Sequence, residues 1–426
     1  MKIENVTFGD IKPGDAFRVR TRIEAWRIYV GLGWDGDDMP LYGVSPQGYV
    51  IDFVSHKMLR TVGKGTLADI AKQPVERVDM STISPEEYLT MAQGRVNQST
   101  GSDPEIFVVD GKDTIMPAFT FLPPNTRKGV GGIHKPYPYC DGFAAECYIP
   151  ASHCHGWVID HIRDGLYQVE KQAHVVDPKA HVTIQNTFNI PKTVMDAAKD
   201  EDVALGCMPS YNVYDDIPQQ PANPREFLFR FAGGHVHMGL GEGCYSAYEK
   251  QEMIKGADLF AALPAVAFFE KLDDPTRRNF YGRAGEYRTP KHGLEYRVLS
   301  NAWLCAPEVA HLVLSLVRCG FKVGRAGYAE KLGISTREIR EIINFCDVIG
   351  ARRWVRNHFD LFKQLLSGDG ITSQAAMKNF VTITEEGVGA VIPTYENLAK
   401  NWHFATAWLT HSNGDKATWG ALKEAK

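Results

Sequence analysis

The chain has 426 residues, more than one ordinary hydrophobic core needs, so two or three domains are expected. Apolar residues make up 44% and charged residues 23%, the balance of a folded globular protein, and the formal net charge is −4 with no long run of one sign. That charge pattern argues against a nucleic-acid partner and against a membrane-surface protein.

Residues 1–78 read as a small all-β module. The turn Lys12-Pro13-Gly14-Asp15 precedes an alternating strand over Ala16–Arg20, and further short strands are expected at Trp26–Val30, Leu41–Val44 and Tyr49–Phe53. Strands of that length and spacing suggest an SH3-like barrel, which either docks a protein partner or caps the main domain, the second being the plainer reading. A polar stretch, Met91–Ser102, leads into the main domain.

There, Glu105–Val109, the turn Asp110-Gly111 and Thr114–Met116 form a β-hairpin pattern. Later strands are expected at Phe143–Ile149, His181–Gln185, Phe227–Leu240 and Leu294–Leu299. Helices are expected at Trp157–Ala173, Tyr248–Phe269, Pro307–Val317 and Thr336–Phe345. Long strands interrupted by helices point to an α+β catalytic domain over 79–305, followed by a mainly helical region over 306–426. No Gly-x-Gly-x-x-Gly or Walker loop follows any of these strands, so a nucleotide would bind without them.

The N-terminus MKIENVTFGD lacks the basic and apolar parts of a signal peptide, and the apolar stretch Leu259–Phe269 is too short to span a bilayer. None of the eight cysteines forms a Cys-x-x-Cys pair, which argues against structural zinc and for a reduced, cytoplasmic protein with buried thiols.

Four segments carry chemistry. In Gly101-Ser102-Asp103-Pro104-Glu105, carboxylates two apart on a strand share a face, and such a pair repels itself unless a cation neutralises it; magnesium takes hard oxygens of this kind. The bland alternative is a solvated strand start. Glu146, within the apolar strand after Asp141-Gly142, faces the same cation, an arginine, or solvent at a sheet edge. In Gly233-Gly234-His235-Val236-His237, both imidazoles lie on one face, with glycines that let another group approach closely. They read as metal or anion ligands, or as satisfied core histidines. The richest segment holds Arg277, Arg278, Arg283, Glu286, Arg288, Glu295 and Arg297 among aromatics and glycines. Arginine suits bidentate grasp of phosphate or carboxylate, whereas the interleaved glutamates would repel a polynucleotide backbone. Acidic ligands, histidines and arginines on separate strands are the equipment of phosphoryl transfer from ATP.

The ordered series GSDPEIFV, DGFAAE, GCMPSYN, GGHVHMGL and YGRAGEYRTPKHGLEYRVL resembles the phage-associated type-2 carboxylate–amine ligases, or amidoligases, relatives of glutamine synthetase and glutamate–cysteine ligase. The resemblance covers roughly residues 100–305. It implies a glutamine-synthetase-like antiparallel-rich sheet, ATP, two or more Mg2+ ions, a small-molecule or peptide carboxylate and amine as substrates, and host cytoplasm for a phage-encoded copy. By resemblance, Asp103, Glu105, Glu146 and Glu295 are metal ligands, and His235, His237 and Arg297 flank the nucleotide. Arg283 and Arg288 hold phosphate or the substrate carboxylate, and Glu286 is a candidate acceptor for the amine proton. Residues Gly206–Asn212 depart from the pattern, which would place an acidic residue near Met208 or Ser210.

Two rival functions remain at this point. One is a metal-dependent hydrolase built on His235, His237 and a carboxylate. The other is a nucleic-acid-binding protein with a helix-turn-helix over 328–345, against which Glu330, Glu338 and Glu341 nearly balance Lys331, Arg337 and Arg340.

Overall fold

Strand order is what brings distant residues to one place in this protein. The computed structural model describes residues 2–11, 16–20, 26–35, 39–44, 50–52, 72, 74–79, 99–124, 136–152, 155–203, 210–216, 218–219, 221, 223–240, 247–270, 272–325, 332–367, 373–392 and 397–404. The chain divides into two compact units. One comprises residues 1–96, 243–256 and 321–333; the other comprises 97–242, 257–320 and 334–426.

The first unit contains six antiparallel strands: β1 (Lys2–Thr7), β2 (Ala16–Arg20), β3 (Trp26–Asp35), β4 (Met39–Val44), β5 (Val50–Asp52) and β6 (Pro74–Asp79). They pair in the order β1-β6-β2-β3-β4-β5. Among the described residues no β5–β1 pairing closes this order into a barrel.

The second unit is α+β, built on a ten-stranded sheet whose strand pairs are all antiparallel. Its strands are β7 (Ser99–Ser102), β8 (Glu105–Val109), β9 (Ile115–Met116), β10 (Tyr137–Asp141), β11 (Ala144–Ser152), β12 (His181–Thr183), β14 (Tyr211–Asn212), β16 (Val236–Gly239), β17 (Glu286–Arg288) and β18 (Gly293–Tyr296). The main path runs β12-β8-β11-β7-β16-β18-β17-β14. A separate pair joins β13 (Thr187–Asn189) to β15 (Phe229–Phe231).

The hairpin expected at Asp110-Gly111 is present, with Val108 opposite Met116. The polar lead-in is not a linker throughout: Ser99–Ser102 forms β7, between β11 and β16 near the middle of the sheet. Thr100 and Ser102 are buried there, and Ser102 Oγ donates to the His235 carbonyl at 2.6 Å. Residues 91–98 lie outside the described set.

The single strand expected over Phe227–Leu240 is two, broken at Ala232-Gly233-Gly234. Close packing at the break requires glycine. A side chain at Gly234 would collide with the Trp303 indole and the Ser300 carbonyl, and Trp303 Nε1 donates to the Gly234 carbonyl at 3.1 Å. The close approach that these glycines permit is therefore made by the chain itself.

Helix His155–Ala173 covers one face of the sheet. Its buried residues Val158, Ile162, Leu166, Val169 and Ala173 recur at helical spacing, and Gly165 lies against Cys147 and Ile149 of β11. Side chains alternate along a strand, so Glu146, between Ala145 and Cys147, faces the opposite side.

The helical run expected at Tyr248–Phe269 spans Ala247–Phe268, with a π-helical turn over Asp258–Ala262. Asp258 is fully buried and accepts the Tyr296 hydroxyl at 2.6 Å. After residue 306 the described chain is mostly helical: Pro307–Arg325, Thr336–Asn344, Val348–Asn357, Phe359–Ser367 and Ser373–Glu386. Ser335 caps Thr336–Asn344 by accepting the Glu338 N–H at 3.1 Å. No helix among the described residues is long and apolar enough to cross a membrane.

Candidate cation and anion site

Register decides which side chains meet. His237 on β16 sits between Gly101 of β7 and Glu295 of β18, and Arg288 of β17 lies opposite Glu295. These four positions form one row across four adjacent strands. Asp103, in the short step between β7 and β8, lies beside the imidazole.

The contacts are short. His237 Nε2 lies 2.8 Å from Asp103 Oδ1, and His237 Nδ1 lies 3.0 Å from His292 Nε2. Arg297 forms a close ion pair with Glu295, and Arg288 Nη1 stands 3.5 Å from the same Oε1. His235 Nδ1 lies 3.5 Å from Asp103 Oδ1 and 3.7 Å from Glu295 Oε1. Donor atoms of Asp103, His237 and Glu295 all lie within 4.8 Å of one another. Two carboxylate oxygens and one imidazole nitrogen at that spacing fit a divalent cation.

Burial and neighbouring charges act in opposite directions on this cluster. Burial pushes the Asp103 carboxyl up, but the charge of His237 and hydrogen bonds from both histidines outweigh it and hold the group well below its usual range. Burial also opposes the charged form of His237, yet Asp103 and Glu295 leave its pKa raised. Glu295 is lowered: burial is overcome by the charges of His235 and Arg297.

Glu105 and Glu146 face each other across β8 and β11, where directly opposed side chains share a face. Glu105 is buried; its Oε2 accepts the Gly233 N–H at 2.6 Å and its Oε1 accepts the Tyr281 hydroxyl at 2.7 Å. Glu146 is half-buried. The carboxylates of Asp103 and Glu105 thus occupy separate seats, with His235 between them, rather than one point.

The arginine-rich segment divides by burial. Arg277 and Arg278 are fully buried and structural. Arg277 donates to the carbonyls of Val298 (3.2 Å) and Leu299 (2.9 Å). Arg278 donates to Gly282 and Val298 and pairs with Asp273 at 2.9 Å. Arg288 and Arg297 reach the cluster. Arg283 does not: its guanidinium pairs with Asp216 at 2.8 Å, an oxygen shared with Arg340 at 3.2 Å and Asn344 at 2.9 Å.

Glu286, expected as a proton acceptor, is buried, and its Oε2 accepts the N–H groups of Gly282 (2.8 Å) and Arg283 (3.1 Å). It holds the Gly282–Gly285 loop, both of whose terminal glycines have positive φ. Asn344 holds the same loop from helix Thr336–Asn344, accepting the Ala284 N–H at 2.8 Å.

Four contributors were not singled out from sequence: Tyr281, His292, Asp216 and Asn344. Tyr281 lies inside the arginine segment, so a phenol among arginines was an available signal. His292 comes from the turn between β17 and β18, and nothing in its spacing points to His237. Residues 204–209, with most of the departing Gly206–Asn212 segment, lie outside the described set, as do residues 326–331 of the helix-turn-helix reading. Helix Thr336–Asn344 buries Ile339, Ile342 and Ile343 and commits Arg340 and Asn344 to Asp216, so these polar groups are already engaged within the protein.

Carboxylates, imidazoles and arginines meet in one cluster on this antiparallel sheet, side chains that could hold a cation together with an anion. Residues 226–326 match a family model described as "Phage phiEco32-like COOH.NH2 ligase-type 2", the family that the motifs resemble. Carboxylate–amine ligases of this kind are ATP-dependent carbon–nitrogen ligases. The matched segment contains His235, His237, Arg283, Glu286, Arg288, Glu295 and Arg297, while Asp103, Glu105 and Glu146 precede it. No curated protein matches the sequence. Among solved structures the chain is similar to a bifunctional glutathione synthetase from Pasteurella multocida, at 12% identity and a TM-score of 0.38, over 80% of this chain and 53% of that one. The chain therefore spans about half of that enzyme's length.

Proposed function

We propose that the protein joins a carboxylate to an amine at the expense of ATP, forming an amide or peptide-like bond through an acyl phosphate. The observation that carries this reading is the meeting of Asp103, His237 and Glu295 with Arg288 and Arg297 beside them. In this reading the sheet is glutamine-synthetase-like, the N-terminal strands belong to a small barrel, and the chain is organised as 1–78, 79–305 and 306–426.

A carboxylate is a poor acyl donor because oxide would have to leave. Transfer of the γ-phosphoryl group to it makes a leaving group of phosphate, which the amine then displaces. Bound magnesium supplies charge neutralisation for the phosphates. Asp103, Glu295 and His237 would hold it, and Glu105 with Glu146 would hold a second ion. Arg297 and Arg288 are already aimed at the Glu295 carboxylate, and they would turn to the transferring phosphoryl group. Arg283 would hold the substrate carboxylate only after releasing Asp216. Glu286 keeps its loop in place, which leaves proton removal from the amine to a histidine.

Incubation with ATP, magnesium and candidate acid–amine pairs should yield ADP and an amide. Calorimetry that detects no binding of ATP or of a non-hydrolysable analogue refutes the proposal. Tightly held zinc in the purified protein would instead favour the hydrolase on His235 and His237.

A further inference from the structure

Three helices of the second unit meet around a cavity of about 290 Å3. Ala267 and Phe268 come from the end of helix Leu263–Phe268, Val355 from helix Val348–Asn357 and Ile383 from helix Ser373–Glu386. These residues make an apolar floor. Ala267, Val355 and Ile383 are buried, and the Phe268 ring rests against Phe380 with the centroids 6.2 Å apart. No lining residue is shared with the cation and anion site.

The rim is charged, and the two signs come from different helices. Arg352 and Arg356 are four apart on Val348–Asn357 and so share a face. Glu385 and Glu386 are the last two residues of Ser373–Glu386, where the helix end adds partial negative charge. Gly387 follows them at φ +88°, and a Cβ on it would meet nothing within 4 Å, so the rim is open there. Arg352 pairs with Glu270 at 2.8 Å, outside the lining. Among the described residues, Arg356, Glu385 and Glu386 form no ion pair. Two charges of each sign thus line one cavity without pairing across it.

That arrangement sorts ligands by charge. The glutamates repel a phosphate, and the arginines repel a polyamine, whereas a neutral zwitterion finds its complement at each end. Size narrows the choice further: ligand pockets run from about 300 to about 1,000 Å3, and this cavity stands at the small end, room for a single residue and not for a nucleotide. In the wall, the Thr384 hydroxyl is buried and has no hydrogen-bond partner among the described residues. An unmet polar group of that kind is costly, and a ligand carboxylate supplies an acceptor.

We propose that this cavity binds a free α-amino acid with an aliphatic side chain. Its carboxylate lies on Arg352 and Arg356, its ammonium group at Glu385 and Glu386, and its side chain over Val355 and Ile383. Arginine is suited to the first contact because its planar fork matches a carboxylate. The site does not depend on the ligase reading, since it shares no residue with that centre.

Calorimetric titration of L-leucine into the full-length protein, free of nucleotide and cation, tests the assignment. Saturable binding tighter than about 10 mM is expected. N-Acetyl-leucine and leucinamide each lack one charge, and each should bind at least about tenfold more weakly. Arg356→Gln and the double variant Glu385→Gln with Glu386→Gln should each lose about fivefold or more in affinity at an unchanged unfolding midpoint. These side chains are exposed, so their replacement leaves the core intact. Methyl NMR locates the ligand: the Val355 and Ile383 methyl signals should move as leucine is added. Failure of leucine, isoleucine and valine to bind saturably overturns the proposal. So does binding that ignores the loss of either ligand charge, that is unchanged in both protein variants, or that leaves the Val355 and Ile383 methyls unmoved.

Discussion

Replacing Asp258 with asparagine should remove a steep pH dependence from the stability of this protein. The Asp258 carboxyl is buried in the π-helical turn, and burial pushes its pKa from 3.8 to about 7 despite hydrogen bonds from Tyr296 and Tyr214. The folded form therefore keeps a proton that the unfolded form loses near its ordinary pKa. A raised folded pKa gives stability that is fully present below about pH 4 and lost as pH rises through about 7. Each unit of difference is worth about 1.4 kcal/mol, so the whole effect is on the order of 4 kcal/mol. Asparagine still accepts the Tyr296 hydroxyl and cannot ionise. Urea unfolding of both proteins at intervals from about pH 4.5 to about pH 8 isolates the term, because all other groups titrate in both. Wild type should lose ground to the variant steadily across that range. Parallel stability curves would refute the reasoning, and a gain by wild type at higher pH would reverse its sign.

Glu295→Ala should cut magnesium-dependent turnover by orders of magnitude, and Arg297→Lys should also be harmful because lysine cannot make a bidentate contact. Steady-state kinetics with a substrate pair found by screening would check both, and unchanged turnover in Glu295→Ala would remove that residue from the site. Gly234→Ala drives a methyl group into the Trp303 indole and Ser300 carbonyl and should cost about 2 kcal/mol or more in urea unfolding. Asn344→Ala leaves the buried Ala284 N–H without its acceptor and should cost about 2 kcal/mol, with faster hydrogen exchange at Ala284 as the local readout.

Where local chemistry determines structure, the sequence was sufficient. β2 begins and ends where alternation places it, β8 where the hairpin pattern places it, and Ser335 starts its helix as a cap should. β7 could not be read in this way: Ser-Thr-Gly-Ser has little strand character, and its state is imposed by β11 and β16 from far along the chain. Arg277 and Arg278 look like ligand-binding arginines by type, yet total burial assigns them to backbone carbonyls. The candidate cluster was legible in its residue types, because carboxylates and histidines on apolar strands are costly without a shared partner. Its partition was not: Arg283 with Asp216, Glu286 with the loop N–H groups and Tyr281 with Glu105, His235 and Arg297 all depend on tertiary distances.

The row Arg288–Glu295–His237–Gly101 has one more consequence. Each member sits on a different strand, and side chains alternate faces residue by residue. A slip of one residue in any of these ladders would turn a donor away from the site and put its neighbour in its place: Val236 for His237, or Tyr296 for Glu295. In the proposed cation reading, ion binding would therefore depend on the alignment of β16 with β18, which carry His237 and Glu295. A sheet misaligned there would look nearly native by its secondary structure and would, in that reading, be recognised by a lost affinity for the ion.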